Sequence, residues 1–490
     1  MSAGIPFIPA AMLGILGHAT GSLEHAFVAA DCIFPALLFL LLWHILTPVT
    51  STIALRLFLT WAALLVPFGL LNSIWLGDDA LLAPLEFTRT PQPEISFVIL
   101  LLAAMLLGRA LQLATEWRWA VAAGIASGAV VYCYYFYAIA WGITLGALLL
   151  LGVIWKDRRL VRCSAVSLAA MIVLSVPFVI ATLRGRMQGG QGELLARMGA
   201  ATHRPAWLAL LIAIGLTVAL LRAGRPSYRV QPTFLVLGML MIAAFYGMNF
   251  QIISGYETQP WHFWKRLAVP VAFILLEAGA ANVISGFFAQ SKKRLSVVAN
   301  AALVILLLNT AARLCYAAVQ SAPFHRASDP EISLVIWVRN NMAPGQVIGT
   351  VNPELILLLP ALSANYNYVP SGLRSLTSTA EIESRYMEFA CFLELKPEAV
   401  AEAAKLPSHR SRSSELLHVL GLSYVHDPVV YREFVNRYER EATSCQGPHW
   451  RLDAAIVSNA AQESAILRRF PRARVIYASN RYRLFDLRDN

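Results

Sequence analysis

Residues Gly255–Arg266 read GYETQPWHFWKR, a polar and aromatic island between the apolar runs Pro232–Ile253 and Leu267–Phe288. Each flank is long enough to cross a bilayer, so the island is expected at a membrane face. Trp261, Phe263 and Trp264 suit the headgroup layer, where a ring keeps its body in lipid and its edge wet. His262, Lys265 and Arg266 fall within five residues, beside Glu257 and Gln259. That grouping offers several cationic donors at the depth of a lipid phosphate. An interfacial belt with snorkelling cations accounts for the same residues without a ligand.

The composition outward from the island agrees with a membrane setting. Of 490 residues, 57% are hydrophobic and 14% charged, with a mean hydropathy of +0.57. That charge is well below the roughly 25% of a soluble domain. Apolar runs are expected to give about ten spans, ending near residue 320. The stretch 321–490 mixes charged and apolar residues like a soluble domain of about 170 residues. The fold class read here is a polytopic α-helical membrane domain, 1–320, followed by a C-terminal soluble α/β domain, 321–490. A net charge of +11 would suggest nucleic acid in a soluble protein. Here the cations lie in loops beside spans, and membrane topology accounts for them without a nucleic-acid partner.

Taken in order, Ile5–Leu16 is apolar but too short to span, and reads as a half-buried or re-entrant segment. Spans are expected at Ala26–Leu46, Ser51–Leu71, Glu94–Ala114, two within Arg118–Trp155, then Val161–Leu183, Ala206–Leu221, Pro232–Ile253, Leu267–Phe288 and Leu295–Val319. Arg118–Trp155 would reach about 57 Å as one helix, so a break is placed in the aromatic knot Tyr132–Tyr137. Gly124 and Gly128 have the spacing that lets a second helix approach closely. Cations alternate along the loops: Arg56; Arg109 and Arg118; Lys156, Arg158, Arg159 and Arg162; Arg222, Arg225 and Arg229; Lys292, Lys293 and Arg294. The positive-inside rule puts these in the cytoplasm and both termini outside it. Arg184, Arg186, Arg197, Arg204, Lys265 and Arg266 then remain on the outer face, where topology does not explain them.

Outer-face carboxylates are the natural catalytic candidates, since a carboxylate serves as general base or metal ligand. Asp31 lies near the outer end of the first span, where an acid in an apolar run is functional or paired. Asp78 and Asp79 share an outer loop that either binds a divalent ion or is simply solvated. Glu86 and Arg89 could pair, and Glu94 suits a helix start. Tyr132, Tyr134, Tyr135 and Tyr137 could line a sugar or lipid groove, or pack at the interface. In the soluble part, strands are expected at QVIGTV, Tyr366–Val369, DAAIV, ARVIYA and RYRLFDL. Helices are expected after Asp329-Pro330 and over Glu354–Leu362, Ala380–Leu395, Glu398–Lys405 and Val429–Ala442. Pro407–Ser414 reads as a solvated linker. Cys391 and Cys445 could form a disulfide, and no Cys or His spacing suggests zinc.

Ala30–Trp43 (ADCIFPALLFLLLW), Gly124–Trp141 (GIASGAVVYCYYFYAIAW), the island, and tail segments Ile332–Glu354, Tyr368–Leu373, Arg451–Ala460 and Arg472–Leu487 together resemble the GT-C superfamily of membrane glycosyltransferases. These are the dolichyl-phosphate-mannose-dependent and oligosaccharyltransferase-type enzymes. The resemblance is architectural and covers most of the chain. It implies hexosyl transfer from a polyprenyl-phosphate donor to a glycan, lipid or protein acceptor on the outer face, in a bacterial inner membrane, with the C-terminal domain extracytoplasmic. On that reading His262, Lys265, Arg266 and Gln259 hold the donor phosphate, and Glu257, Tyr134, Tyr135 and Arg89 line the substrate groove. Asp31, Asp78 and Asp79 are the catalytic candidates, and Mg or Mn is the cofactor they leave room for. The family's catalytic carboxylate lies in a large outer loop after a first span, and this sequence opens with residues resembling the end of that loop. The family's acidic motif is therefore expected to lie outside these residues or to have been lost. The competing readings are a lipid-linked sugar flippase and a non-catalytic envelope-assembly protein.

Overall fold

The computed structural model describes residues 7–75, 94–113, 117–187, 200–224, 232–257, 261–288, 290–325, 329–372, 375, 377–404, 416–422, 428–441 and 449–488. The chain falls into two compact units, Met1–Arg184 with Ala201–Ser321, and Gly185–Ala200 with Ala322–Asn490.

The first unit is helical. Its order is α1 (Phe7–Thr20), α2 (Leu23–Leu46), α3 (Ile53–Trp75), α4 (Glu94–Gln112), α5 (Trp117–Val131), α6 (Tyr135–Ile154) and α7 (Arg158–Met187). After the two-residue strand β1 (Ala200–Ala201) come α8 (Trp207–Ala223), α9 (Pro232–Gly247), α10 (Gln251–Ser254), strand β2 (Tyr256–Glu257), α11 (Trp261–Phe263), α12 (Val269–Phe287) and α13 (Lys292–His325). Among the described residues, six helical stretches are long and apolar enough to cross a bilayer: Leu23–Leu46, Glu94–Gln112, Tyr135–Ile154, Arg158–Ala181, Trp264–Phe287 and Lys292–Tyr316. These are the dimensions of an integral membrane protein. The other runs expected to span appear as shorter apolar helices, among them Trp117–Val131 and Pro232–Gly247.

Two breaks shape this unit. The first falls inside the aromatic knot, where Tyr134 turns extended (φ −153°, ψ 118°) to start α6. The second interrupts Pro232–Ile253, which the apolar pattern suggested was one span: α9 stops at Gly247 and a turn leads to α10. A Cβ at Gly247 would come within 2.5 Å of the Phe263 ring, so the chain closes tightly there. Asn249 holds the turn, accepting from the Ala206 amide at 2.8 Å. Hydropathy alone does not register such a break, because the turn residues Met248 and Phe250 are themselves apolar. Gly124 and Gly128 do serve close approach, with Ala170 and Leu174 of α7 where their Cβ atoms would stand.

The second unit is a small α/β fold. It runs α14 (Asp329–Asn341), β3 (Val347–Gly349), α15 (Pro353–Leu362), β4 (Tyr366–Asn367), α16 (Thr379–Phe392), α17 (Pro397–Ala404), α18 (Leu416–Val419), α19 (Pro428–Glu441), β5 (Ala454–Val457), α20 (Ala460–Arg469), β6 (Arg474–Ala478) and β7 (Arg483–Asp486). The sheet order is β4-β3-β5-β7-β6, with β3 parallel to β4 and β5, and β7 antiparallel to β5 and β6. All four β5 residues are buried. Successive side chains point to opposite faces, so Ala454 and Ile456 join the core over α14 and α15, and Ala455 and Val457 the core under α16 and α19. The strands and most helices lie where the sequence places them, while α18 and α20 were not foreseen. Asn459 caps α20 by accepting from the Gln462 amide at 2.9 Å, a start signal that was present in the sequence. Cys391 is disulfide-bonded, and Cys445 lies outside the described residues. So does Pro407–Ser414.

Candidate functional site

The island is built around one backbone irregularity. Between α11 and α12, Trp264–Ala268 forms a π turn, with the Val269 amide donating to the Trp264 carbonyl five residues back. Pro270 supplies a physical reason. In a regular helix the amide of residue 270 would bond the Arg266 carbonyl, and proline has none to offer. The Tyr137 hydroxyl takes that place, donating to the Arg266 carbonyl at 2.8 Å. Tyr137 is wholly buried, so the aromatic knot that begins α6 clamps the backbone of the island. Single π turns of this kind recur at functional sites.

The same clamp orients the cation. The Arg266 side chain is 9% exposed, and its Nη1 donates to the Tyr134 hydroxyl at 2.6 Å. The guanidinium carbon stands 5.8 Å from the centre of the Tyr134 ring. The Tyr134 hydroxyl also meets His262 Nδ1, which lies 3.4 Å from Arg266 Nη1. A guanidinium only donates. The Tyr134 oxygen accepts from Arg266, and the same hydroxyl shares a second hydrogen bond with His262 Nδ1. Phe136 packs on the His262 ring with centroids 4.4 Å apart and on Phe263 edge-on, which fixes the imidazole plane.

Of the residues singled out from the sequence, Tyr134, His262 and Arg266 are thus brought together across 128 or more positions of chain. Lys265 is half-buried on the π turn. Tyr135 stands edge-on to Phe136 at 5.6 Å and to Phe250 at 6.4 Å. The backbone of Glu257 lies in β2. Asp31 is exposed on α2. Asp78, Asp79, Arg89 and Gln259 lie outside the described residues. Among the described residues, no three His, Cys, Asp or Glu side chains are placed to hold a metal ion.

Two features escaped the sequence reading. Glu277, halfway along α12, is 6% exposed, and neither carboxyl oxygen has a hydrogen-bond partner among the described residues. Its signal was available: it is the single acid in VPVAFILLEAGAANVISGF. In the second unit, the Glu388 carboxylate accepts from the Tyr368 hydroxyl, from the His449 amide at 2.9 Å and from the His449 ring at 2.6 Å. Burial, and then the bond to Glu388, raise the Tyr368 pKa well above the ordinary phenol value. Neither a protein-family model nor a curated protein matches the chain.

Proposed function

We propose that the chain is a membrane glycosyltransferase of GT-C type, taking a sugar from a polyprenyl-phosphate donor whose phosphate lies against Arg266, His262 and Lys265. The observation that carries this is the buried Arg266 guanidinium, held at the end of a candidate span by a π turn and set against a phenol and an imidazole. A cation in that position, in a segment carrying three large aromatics, suits a phosphodiester at the membrane surface. In the transfer step the acceptor hydroxyl gives its proton to a carboxylate and attacks the anomeric carbon. The bond from that carbon to the phosphate oxygen breaks, and polyprenyl phosphate leaves. Arg266 would offset the charge growing on that phosphate, an interaction preorganised by Tyr134 and Tyr137. Asp31, Asp78 and Asp79 remain the candidates for the base.

The test is binding and turnover of a panel of labelled polyprenyl-phosphate sugars by purified membranes. Arg266→Ala should lower donor affinity roughly ten- to a hundredfold, the worth of a charged hydrogen bond. Arg266→Lys should recover only part, since an ammonium lacks the planar fork. Equal donor binding by wild type, Arg266→Ala and His262→Ala at equal protein levels would eliminate the donor site. Glu277 favours a second reading, a lipid-linked sugar transporter, because an ionisable group inside a span marks transport paths. Flipping of labelled lipid in vesicles that is lost in Glu277→Leu and kept in Arg266→Ala would select it.

A further inference from the structure

The hairpin between α6 and α7 gathers three cations around one concavity. Lys156, Arg158 and Arg162 surround a surface cavity of about 300 Å³ whose remaining walls are Gly152, Val153 and Val161. All three cationic side chains are exposed, and none makes a hydrogen bond or ion pair among the described residues. The one acid in the loop makes no ion pair with them among the described residues. Asp157 is 2% exposed, and its Oδ1 accepts the Arg159 and Leu160 amides at 3.0 and 3.2 Å, capping α7.

The loop is rigid as well as cationic. The Asp157 amide donates to the Gly152 carbonyl at 2.7 Å and the Lys156 amide to the Val153 carbonyl at 3.1 Å. This paired pattern ends a helix with a left-handed residue, a place usually taken by glycine. Here that residue is Lys156, at φ 53°. The chain thus accepts backbone strain where glycine would be free of it, and keeps a cation on the rim. A Cβ at Gly152 would lie 2.8 Å from the Val161 amide nitrogen, so α6 and α7 close to backbone contact beneath the cavity. The positive-inside rule accounts for cations in such a loop. It does not account for three of them ringing one concavity with no ion pair to any of them among the described residues.

We propose that Lys156, Arg158 and Arg162 bind a phosphate group, supplied by an anionic phospholipid or by free phosphate. Apolar surface continues directly below the cavity, where Leu150, Val153 and Ile154 are more than half exposed, and a lipid phosphate would bring acyl chains to cover it. The site stands about 30 Å along α6 from Tyr134, as a 20-residue helix requires. If α6 spans the membrane, the two anion sites occupy opposite faces, one for the donor and one for the resident lipid.

The test uses the full chain in nanodiscs of phosphatidylcholine with and without phosphatidylglycerol, and in detergent with and without inorganic phosphate, reading retained lipid by native mass spectrometry and thermal unfolding. The substituted protein is K156Q/R158Q/R162Q. The control is K292Q/K293Q/R294Q, which removes the same charge from the exposed start of α13. The triple Gln variant should lose phosphatidylglycerol retention by about a hundredfold, as three charges near a membrane surface imply, with the control unchanged. Stabilisation by inorganic phosphate alone, lost in the same variant, would identify a free-phosphate site instead of a lipid one. No response of wild type to either ligand, or equal losses in the two variants, would overturn the proposal. Both variants replace exposed side chains, and their unfolding midpoints in phosphate-free detergent check that they fold.

Discussion

Arg266 in the first unit and Glu331 in the second are both buried charges, 9% and 0% exposed, and their surroundings differ in kind. One Glu331 oxygen accepts from the Tyr482 hydroxyl and faces the Arg481 guanidinium at 3.3 Å. Tyr482 in turn accepts from Asn352 at 3.0 Å, so the group ties the start of α14 to β7 and to the cap of α15. Arg266 meets a phenol, an imidazole and an aromatic face. Opposite charge beside a buried ion completes a structural network. The hydroxyls of Tyr134 and Tyr137 fix the Arg266 side chain and backbone respectively. Glu277 is a third case, a buried carboxyl with no hydrogen bond among the described residues.

The largest effect should come from breaking the structural member. Glu331→Ala removes the acceptor of a buried tyrosine hydroxyl and the partner of Arg481, and should lower stability by about 2–3 kcal/mol, read as a fall in the thermal midpoint of the purified chain. An unchanged midpoint would show that Glu331 is not holding these elements together. Next in size is a gain. Glu277→Leu replaces an unbonded buried carboxyl with an apolar group of similar volume, and should stabilise the protein by about 1–3 kcal/mol. A loss of stability instead would mean that this carboxyl has work to do inside the helix bundle.

The smallest effect concerns an ion pair at the surface of the second unit. Hydrogen bonding from Arg488 holds the Asp486 pKa below its ordinary 3.8. A depressed folded-state value means the carboxylate contributes stability above pH 3.8, and the contribution is lost as pH falls through the folded-state value. Asp486→Asn should therefore cost about 0.5 kcal/mol or less near neutrality and make the acid limb of the stability profile shallower. An identical acid limb in the two proteins would remove the pair from the account.

Much of this was legible along the chain. The break in the aromatic knot, the close approach at Gly124 and Gly128, and the strands and most helices of the second unit all follow from local pattern, because 3.6- and 2-residue periods and turn residues act over short distances. The phosphate candidates His262 and Arg266 were legible too, as cations packed into an interfacial segment. What the island's sequence could not carry was its conformation. The π turn follows from Pro270 only once a hydroxyl from a distant helix is at hand to satisfy the Arg266 carbonyl.

The amino-acid order by itself determined a chain of apolar helices followed by an α/β unit, and the grouping of cations in the island and the short loops, since burial and charge are properties of residue type and spacing. Only the tertiary structure decided that Tyr134 and Tyr137, about 130 positions away, clamp Arg266, that Glu277 is sealed without a partner, and that Asp157 turns inward and leaves three cations around a cavity. Each of these depends on which helices meet. Helix packing is set by the sum of many weak side-chain contacts across the fold, and no short window of sequence contains that sum.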